Sequence, residues 1–447
     1  MRKGVLGTAA LLAAARLAAA QPPQFPPALP PAPLAIAAEP AAPAQAPAAG
    51  QQPGPEVLPP PATTQPAAPA PTAIAPCTTA PTTAGPAGAP GQPRFHDDHC
   101  GPPEQAWLSG GPLLWWLKGT PTPVLATSST GEVIGGNDIT HGTYNGGRLD
   151  GGFWLDCRHT IGVTLGGFML EQRRTVNGLF SDPTGTPRIA RPVIDVLTLS
   201  QADVLVSAPG ALAGSVAVAS SARLAGAEAG LVHNLLYTRD YSIDVNFGFR
   251  YLDLDENLDI VQSTQALANG RLTIGNTPVS AVVLEDRFNT RNQFYGGQMG
   301  MQGEYRLGPL FADVFSKVAL GPNHEVVSIS GSTRDATGAV ALPGGLLALQ
   351  GGNIGRFVTN RFVVVPEVGA QVGVQLSSHV RVAAGYQFLY INDVARPGTQ
   401  IDPAINPRLV PISGAFGTLS GQTSPLLTLH RDDFFAHGVQ FLLDIRY

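Results

Sequence analysis

The sequence predicts an all-β protein, a transmembrane antiparallel up-and-down β-barrel of about ten strands. Three observations predict it: apolar and polar residues alternate with period two, the apolar faces are long enough to cross a bilayer obliquely, and short connections alternate with long ones. Only 13% of residues are charged, and 52 Gly with 42 Pro favour strands and turns over helices. The net charge of −5 indicates no nucleic-acid partner.

Three segments are expected along the chain. Residues 1–20, MRKGVLGTAALLAAARLAAA, combine a basic start, an apolar Ala/Leu run and small residues before Gln21, which is typical of a secretory signal peptide. Residues 21–104 are rich in Pro, Ala, Gln and Thr, so they cannot form a core and are expected to be a disordered, extended spacer. Residues 105–447 carry the alternating pattern and are the predicted barrel.

Cysteines and metal-ligand residue types lie mostly near the end of the spacer. Three cysteines, Cys77, Cys100 and Cys157, leave at least one thiol unpaired within a monomer, and the sequence does not choose a pairing. The stretch RFHDDHC (94–100) holds residue types that bind metals. Ligands so close in sequence seldom saturate one tetrahedral ion, so we interpret the stretch as a polar junction and expect no metal and no cofactor.

The barrel strands follow in order along the second part of the chain. They are expected near residues 105–118, 146–156, 159–175, 221–237, 241–254, 286–305, 310–321, 356–375, 380–394 and 432–447. Four short joints, at DCRHT, LLYTRDY, EYRLGPL and QLSSHV, alternate with five long connections, the wiring of outer-membrane barrels with short periplasmic turns and long extracellular loops. Twelve strands remain an alternative, since RPVIDVLTLSQADVLV (191–206) and LTIGNTPVSAVVLE (272–285) could supply two more.

The faces of these strands separate a membrane barrel from a soluble one. In YSIDVNFGFRY (241–251) every odd-numbered residue is apolar, and the even-numbered ones are polar or Gly. The segments at 361–376, 380–390 and 434–447 alternate likewise, with no charged residue on the apolar set. A soluble β-sandwich also alternates, but the length of the apolar runs, the aromatics at strand ends and the turn asymmetry favour the barrel. A closed barrel leaves no free edge, so the last strand is expected to pair with the first.

The alternation places side chains in two environments. Aromatics at strand ends are expected at the membrane interfaces: Tyr237, Tyr251, Tyr305, Tyr390 and Tyr447. Charged residues of the polar set are expected in the lumen: Arg148, Asp150, Asp244, Arg250, Glu304, Lys317, Glu367, Arg381, Asp444 and Arg446, together with Asp156, Glu228 and Asp313. Ten strands enclose a narrow lumen. These charges therefore either brace a plugged barrel, which is slightly favoured, or line a constriction for small solutes or ions.

Four stretches carry a family resemblance: GPLLWWLKG (111–119), LDGGFWLDCRHTIGVTLGGFMLE (149–171), FGFRYLDLDENL (247–258) and NQFYGGQMGMQGEY (292–305). They resemble the planctomycete putative beta-barrel porin-7 family over about 107–447. The resemblance implies an outer-membrane barrel and supplies no catalytic residues. The ending also resembles the outer-membrane insertion signal read by the barrel assembly machinery, which implies that role for Phe441, Leu443, Ile445 and Tyr447.

The expected function is that of a porin-like integral outer-membrane barrel, either a narrow passive channel or a structural barrel. Surface recognition or adhesion through the long loops is the alternative, and an outer-membrane hydrolase is less favoured. His233 and His141 have no recognisable Ser, Asp or Glu partner at a suggestive spacing, so no catalytic residue is assigned and no enzyme is expected. The expected partners are outer-membrane lipids and the assembly machinery, with cell-wall contact through the spacer; the spacer and the C-terminus are expected in the periplasm.

Overall fold

The computed structural model describes Pro102 and residues 104–156, 158–418 and 423–447. The predicted signal peptide, all but two residues of the predicted spacer, the stretch 94–100 and Cys77, Cys100 and Cys157 lie outside the described residues. The strands are β1 (Ala106–Leu117), β2 (Val124–Ser128), β3 (Val133–Gly135), β4 (Thr143–Trp154), β5 (Ile161–Leu170), β6 (Arg173–Phe180), β7 (Ile189–Asp195), β8 (Ser200–Ser207), β9 (Leu212–Tyr237), β10 (Tyr241–Ala266), β11 (Leu272–Ile274), β12 (Thr277–Val279), β13 (Ala281–Leu307), β14 (Leu310–Asp335), β15 (Ala341–Pro343), β16 (Gly355–Gln375), β17 (Val380–Ala395), β18 (Ala404–Ile405) and β19 (Arg431–Arg446). Two 3₁₀ helices span Gly398–Gln400 and Pro407–Leu409. Neither these nor any other helix among the described residues has the length and hydrophobicity to cross a bilayer.

Ten of these strands close one antiparallel ring. Its order is β1, β4, β5, β9, β10, β13, β14, β16, β17, β19 and back to β1. The closing pair of β1 with β19 runs from Trp107 opposite Arg446 to Leu117 opposite Ala436. The predicted barrel, its ten strands and the pairing of the last strand with the first are confirmed.

The twelve-strand alternative is wrong. The two stretches that suggested it do form strands, but these strands lie outside the ring. β7 and β8 belong to a separate five-stranded sheet with β2, β3 and β18, and β11 pairs only with β12. The rest of the second stretch begins β13 itself. The apolar residues of β7, such as Ile189 and Val193, pack in a core formed by the long connections rather than in the barrel wall.

The connections confirm the predicted alternation of short and long. Short turns at 155–160, 238–240, 308–309 and 376–379 lie at one end of the barrel, called here the turn end. In the shortest turn, 308–309, Gly308 has a φ of +62°, a left-handed conformation that favours glycine. The five long connections lie at the opposite, loop end: 118–142, 171–211, 267–280, 336–354 and 396–430.

Several strands are much longer than the sequence pattern indicated, because their apolar face changes sides. On β10 the odd-numbered residues from Tyr241 to Tyr251 face outward and are apolar. Beyond Tyr251 most apolar residues are even-numbered, face inward and are 1% exposed or less, namely Leu252, Leu254, Leu258 and Ile260, whereas Val261 is 36% exposed. The outward positions there are Asp253, Asp255, Asn257 and Asp259. No register shift between β10 and β13 accompanies the change. The outer surface is therefore an apolar belt near the turn end and a mostly polar wall near the loop end, where Val261 and Val358 are exceptions.

Tyrosine pairs mark both edges of the apolar belt on the same two strands. Tyr241 lies opposite Tyr305 at the turn end, and Tyr251 lies opposite Tyr295 ten residues higher, with ring centroids 5.1 Å apart. Ten residues of antiparallel strand rise about 34 Å, and a tilt of about 45° reduces this to roughly 24 Å of height. This height matches the apolar band of a membrane-spanning barrel, roughly 25 Å.

A charge placed in this belt is expected to weaken insertion. Val314 faces outward on β14 and is 61% exposed. Val314→Arg should lower the stability in lipid vesicles by about 2–4 kcal/mol, measured by urea unfolding. Ser332 lies on the same face of the same strand in the polar wall, opposite Glu285, so Ser332→Arg should change stability little. Equal effects of the two substitutions would contradict the position of the belt.

Inside the barrel, an apolar layer crosses the lumen above the turn end. Every ring strand contributes to it, and each side chain is 3% exposed or less. Its members are Leu113, Trp115, Tyr144, Leu170, Ala222, Leu224, Leu252, Leu254, Phe294, Ala319, Val363, Val365, Leu389, Ile391, Val394, Phe434 and Ala436. Residues from all ten ring strands therefore belong to one buried apolar cluster at this level of the lumen.

The long connections fold over and into the loop end, and form a second apolar core that we call the loop cap. This core joins inward residues of the long strands, such as Leu258 and Phe288, to loop residues such as Leu125 and Leu347. Two fully buried ion pairs fasten loops to the wall. Arg191 of β7 pairs with Asp286 of β13 at 3.0 Å, and Arg396 of the last long connection pairs with Glu256 of β10 at 2.6 Å.

Candidate functional site

A polar cavity of about 230 Å³ lies between the turn end and the apolar layer, and is called here the vestibule. Inward-facing residues of the ring strands line it, together with Glu104 just before β1. Its position follows from the alternation of the strands, since the outward positions of the same segments form the apolar belt. The vestibule is the part of the lumen in which the predicted charged residues meet.

The inner wall of the vestibule carries a mid-lumen network of three carboxylates and three cations. Its members are Arg148, Asp150, Glu228, Arg250, Lys317 and Glu367. Arg148 Nε lies 2.5 Å from Asp150 Oδ2, and Lys317 Nζ lies 2.5 Å from Glu228 Oε1. The buried carboxylate of Glu367 pairs with the buried guanidinium of Arg250. These charge-assisted bonds tie five strands across the lumen.

A second set of ion pairs, the mouth network, lies at the strand ends. Its members are Glu104, Glu304, Arg306, Arg381, Asp444 and Arg446. Glu304 is its centre: Arg381 donates two hydrogen bonds to it at 2.8 and 3.1 Å, and Arg306 Nε donates a third at 2.5 Å. Arg446 lies 2.8 Å from Asp444 and 3.3 Å from Glu104, so the last strand is tied to the segment before the first.

Of the thirteen lumen charges assigned from the sequence, ten belong to these two networks. Asp156 lies instead in the turn after β4, where it accepts hydrogen bonds from Thr160 and Ile161. Asp244 and Asp313 face the lumen but belong to neither network. Asp244 accepts a hydrogen bond from Asn234 Nδ2 at 2.6 Å, and Asp313 accepts one from Gln302 Nε2 at 2.5 Å. Among the described residues, no Lys, Arg or His lies within 4.0 Å of either carboxylate. The sequence analysis did not assign Glu104 or Arg306 to the lumen, although Arg306 lies two residues after Glu304 on β13 and so faces the same side.

The aromatic residues assigned to the interfaces divide into two groups. Tyr251, Tyr305, Tyr390 and Tyr447 lie at outward positions of their strands, and Tyr447 is 75% exposed. Tyr237 does not face outward, which corrects the expectation. A register shift between β9 and β10 places it opposite Ser242, on the lumen side, with the Arg306 guanidinium carbon 4.7 Å from its ring centroid.

The four residues of the resembled insertion signal share the outward face of β19. Phe441 is 49% exposed, Leu443 is 47% exposed, and Ile445 and Tyr447 follow on the same side. Their part in recognition by the assembly machinery stays a prediction.

His141 has a partner that its sequence neighbourhood did not reveal. Its Nε2 lies 3.1 Å from Ser220 Oγ, 79 residues away, and both side chains are buried under the loop cap. His233 Nδ1 contacts the Thr160 backbone oxygen at 3.0 Å. Because His141 and Ser220 are each less than a tenth exposed, a substrate would have to displace the cap to reach them.

No three His, Cys, Asp or Glu side chains among the described residues come together in a way that could hold a metal ion.

The buried His141 predicts an acid-sensitive cap. Burial lowers the pKa of His141 below its ordinary value near 6.5, and the nearby charge of Glu256 opposes this only in part. The unfolded imidazole takes up a proton near pH 6.5, and the folded one only at lower pH, so folded stability present above about pH 6.5 is lost as the pH falls.

The measurement is limited proteolysis of the cap between about pH 8 and pH 5, where the imidazole titrates. Cleavage should increase on acidification in the wild type. In His141→Gln, which retains a hydrogen-bonding side chain but does not titrate, the increase should be smaller. Parallel pH profiles for the two proteins would disprove the assignment.

Three comparisons with solved structures give distant likenesses at the level of the barrel. The outer membrane protease OmpT of Escherichia coli is 10% identical, with 77% of this chain and 96% of that chain covered and a TM-score of 0.36. A FadL homologue of Pseudomonas aeruginosa is 7% identical over 77% and 90%, with a TM-score of 0.23. The toluene transporter TodX of Pseudomonas putida is 9% identical over 77% and 90%, with a TM-score of 0.21. At these TM-scores the likenesses carry no argument about function, and no curated protein matches the chain.

A family model matches the whole barrel. It covers residues 107–447, from the second residue of β1 to the end of the chain, and its description is putative beta barrel porin-7. The match includes the ten ring strands except Ala106, the loop cap and both charge networks except Glu104. The chain belongs to the putative beta barrel porin-7 family.

Proposed function

We propose that this protein is an integral outer-membrane barrel that is closed to passive conduction and carries its loop cap as a folded recognition surface. The apolar layer is the observation that carries the proposal. It crosses the lumen with side chains from all ten ring strands, each 3% exposed or less. A hydrated ion crossing this layer would lose its water shell without gaining polar partners, at a cost of many kcal/mol.

The membrane location and the orientation belong to the same proposal. Family membership and the apolar belt of roughly 24 Å support an outer-membrane barrel. The turn end, with the vestibule and both ends of the ring, then faces the periplasm, and the loop cap faces outward. In this orientation the segment before β1 lies near the cell wall, and the outward face of β19 meets lipid and, during insertion, the assembly machinery.

The cap supports a role in recognition rather than catalysis. It has its own apolar core and a five-stranded sheet, so its surface is preorganised. At the tip of the β7–β8 hairpin, Leu197 is 42% and Leu199 is 83% exposed, which gives the cap an apolar knob. The His141–Ser220 pair is buried under the cap and is assigned a structural part.

Planar-bilayer recording tests the closed state. The refolded wild type should show no steady conductance, whereas a variant that truncates three of the four aromatic side chains of the layer (Trp115→Ala, Phe294→Ala, Phe434→Ala) should conduct. Phe247→Ala with Phe249→Ala, on the outward face, is the matched control and should stay silent. Incorporation is checked by flotation with lipid vesicles. Steady conductance of the wild type would contradict the proposal and favour a narrow channel for small solutes or ions.

A further inference from the structure

The two charge networks of the vestibule are each balanced, so two carboxylates are left over. The mouth network and the mid-lumen network each contain three carboxylates and three cations. Asp244 and Asp313 lie in the same cavity and receive hydrogen bonds only from the amides of Asn234 and Gln302. The vestibule therefore holds two carboxylates in excess of its own cations.

Unused hydrogen-bond acceptors accompany this excess. Asp313 is 1% exposed and Gln440 is 2% exposed, yet Asp313 Oδ1 and Gln440 Oε1 have no hydrogen-bond partner among the described residues. Asn246 Oδ1 is a third such atom, and all three side chains line the vestibule. A buried acceptor without a donor costs about 1–3 kcal/mol, more when charged, so the site favours a ligand that brings donors.

These groups lie in one band around the lumen. Asp244 is opposite Gln302 in the ladder of β10 and β13, and Gln302 donates to Asp313 on β14. Asp313 is in turn opposite Gln371 of β16, which accepts from Gln440 Nε2 at 3.5 Å. The acceptors therefore converge on one level of the cavity.

We propose that this band binds a small primary ammonium cation. An alkylammonium head supplies the positive charge that Asp244 and Asp313 lack and three N–H donors for the unused acceptors. A metal ion held directly by protein carboxylates fits less well, because no three acidic or His side chains among the described residues come together in a way that could hold one. The cavity of about 230 Å³ also has Trp107 and Phe315 in its lining, which suit a short alkyl chain and an adjacent cation. The site requires access only from the turn end and is independent of whether the barrel conducts.

Calorimetric titration of the refolded barrel with methylammonium at about pH 8, where free carboxylates are ionised, tests the proposal. Asp313→Asn and Asp244→Asn should each weaken binding about tenfold or more, since each removes a charge that meets the ligand. Neither substitution deprives an Arg or Lys of a partner, so the fold should persist. Asp259→Asn, on the outward polar wall, is the matched control and should leave the affinity unchanged.

Two further measurements separate a built site from a general negative potential. Tetramethylammonium has the same charge but no N–H donor, and sodium has no donor either, so both should bind much more weakly than methylammonium. Gln440→Leu keeps the charge and removes one acceptor, and should weaken methylammonium binding several-fold. Equal binding of the three cations, or equal affinity in wild type and Asp313→Asn, would overturn the proposal.

Discussion

Asp286→Asn is expected to release the loop cap, with a loss of about 3–5 kcal/mol in the stability of that part of the molecule. Asp286 is fully buried and pairs with Arg191, which is 1% exposed. Its other oxygen accepts three backbone N–H groups of the fourth long connection, from Leu346, Leu347 and Ala348, at 2.8, 2.9 and 2.9 Å. The substitution removes the charge and leaves the Arg191 guanidinium buried without its counter-charge. It also weakens the three hydrogen bonds from the loop backbone, because an amide oxygen is a poorer acceptor than a carboxylate oxygen.

Hydrogen exchange and limited proteolysis of the loops measure this effect, and the parts of the ring strands that lie in the apolar belt serve as an internal reference. Exchange should rise at 346–348 and in β7, but not in those parts of the ring strands. Asp259→Asn on the outward wall should change neither region. Adding Arg191→Met to Asp286→Asn should cost less than Asp286→Asn alone, since no buried charge then remains unpaired and the Asn side chain still offers an oxygen to the three backbone N–H groups. A cap that stays protected in Asp286→Asn would show that the ion pair does not hold it.

Trp115→Ala is expected to destabilise the barrel by about 3–5 kcal/mol. Trp115 is fully buried in the apolar layer, and its ring lies 5.1 Å from that of Phe168 on β5. The backbone of β19 approaches it closely at Gly438, where an added Cβ would meet Trp115 Cδ1 at 2.6 Å. The surrounding strands are hydrogen-bonded into a closed ring and cannot collapse into the space that the ring leaves, so most of the cavity cost remains.

The adjacent tryptophan is the matched control. Trp116 faces outward, is 38% exposed and stacks on His437 with ring centroids 5.8 Å apart. Trp116→Ala exchanges ring contacts for lipid contacts and should cost about 1 kcal/mol. The stabilities of Trp115→Ala and Trp116→Ala are compared by urea unfolding in lipid vesicles. A cost for Trp116→Ala as large as that for Trp115→Ala would contradict the assignment of the inward and outward faces of β1.

The sequence pattern predicted the belt better than the part of the barrel beyond it. On β10 the expected strand ended at residue 254, and the structure continues it to Ala266. The apolar set moves from odd to even positions after Tyr251, and one apolar face per strand had been expected. Where the wall leaves lipid, water lies outside and the loop cap inside, so the same strand must turn its apolar side chains inward. This change of parity is present in the sequence and could have been found there.

Tyr237 shows a different kind of error. Its place at the end of an alternating segment favoured an interface role, but one extra residue in β9 before the turn reverses the parity of the strand end. A bulge of this kind depends on how two strands pair, and nothing in the local pattern of β9 requires it.

By itself, the sequence determined the ten-stranded barrel, its alternating turns and loops and its apolar belt, because strand alternation and turn composition are local properties of the chain. Only the tertiary structure decided what fills the lumen and which charges meet. Arg396 reaches Glu256 across 140 residues, and His141 reaches Ser220 across 79. Such contacts arise only when the ring closes and the loops fold into it, since the partners lie on elements that are neighbours in space but not along the chain. For the same reason the excess of Asp244 and Asp313 became visible only after every other lumen charge had found its partner.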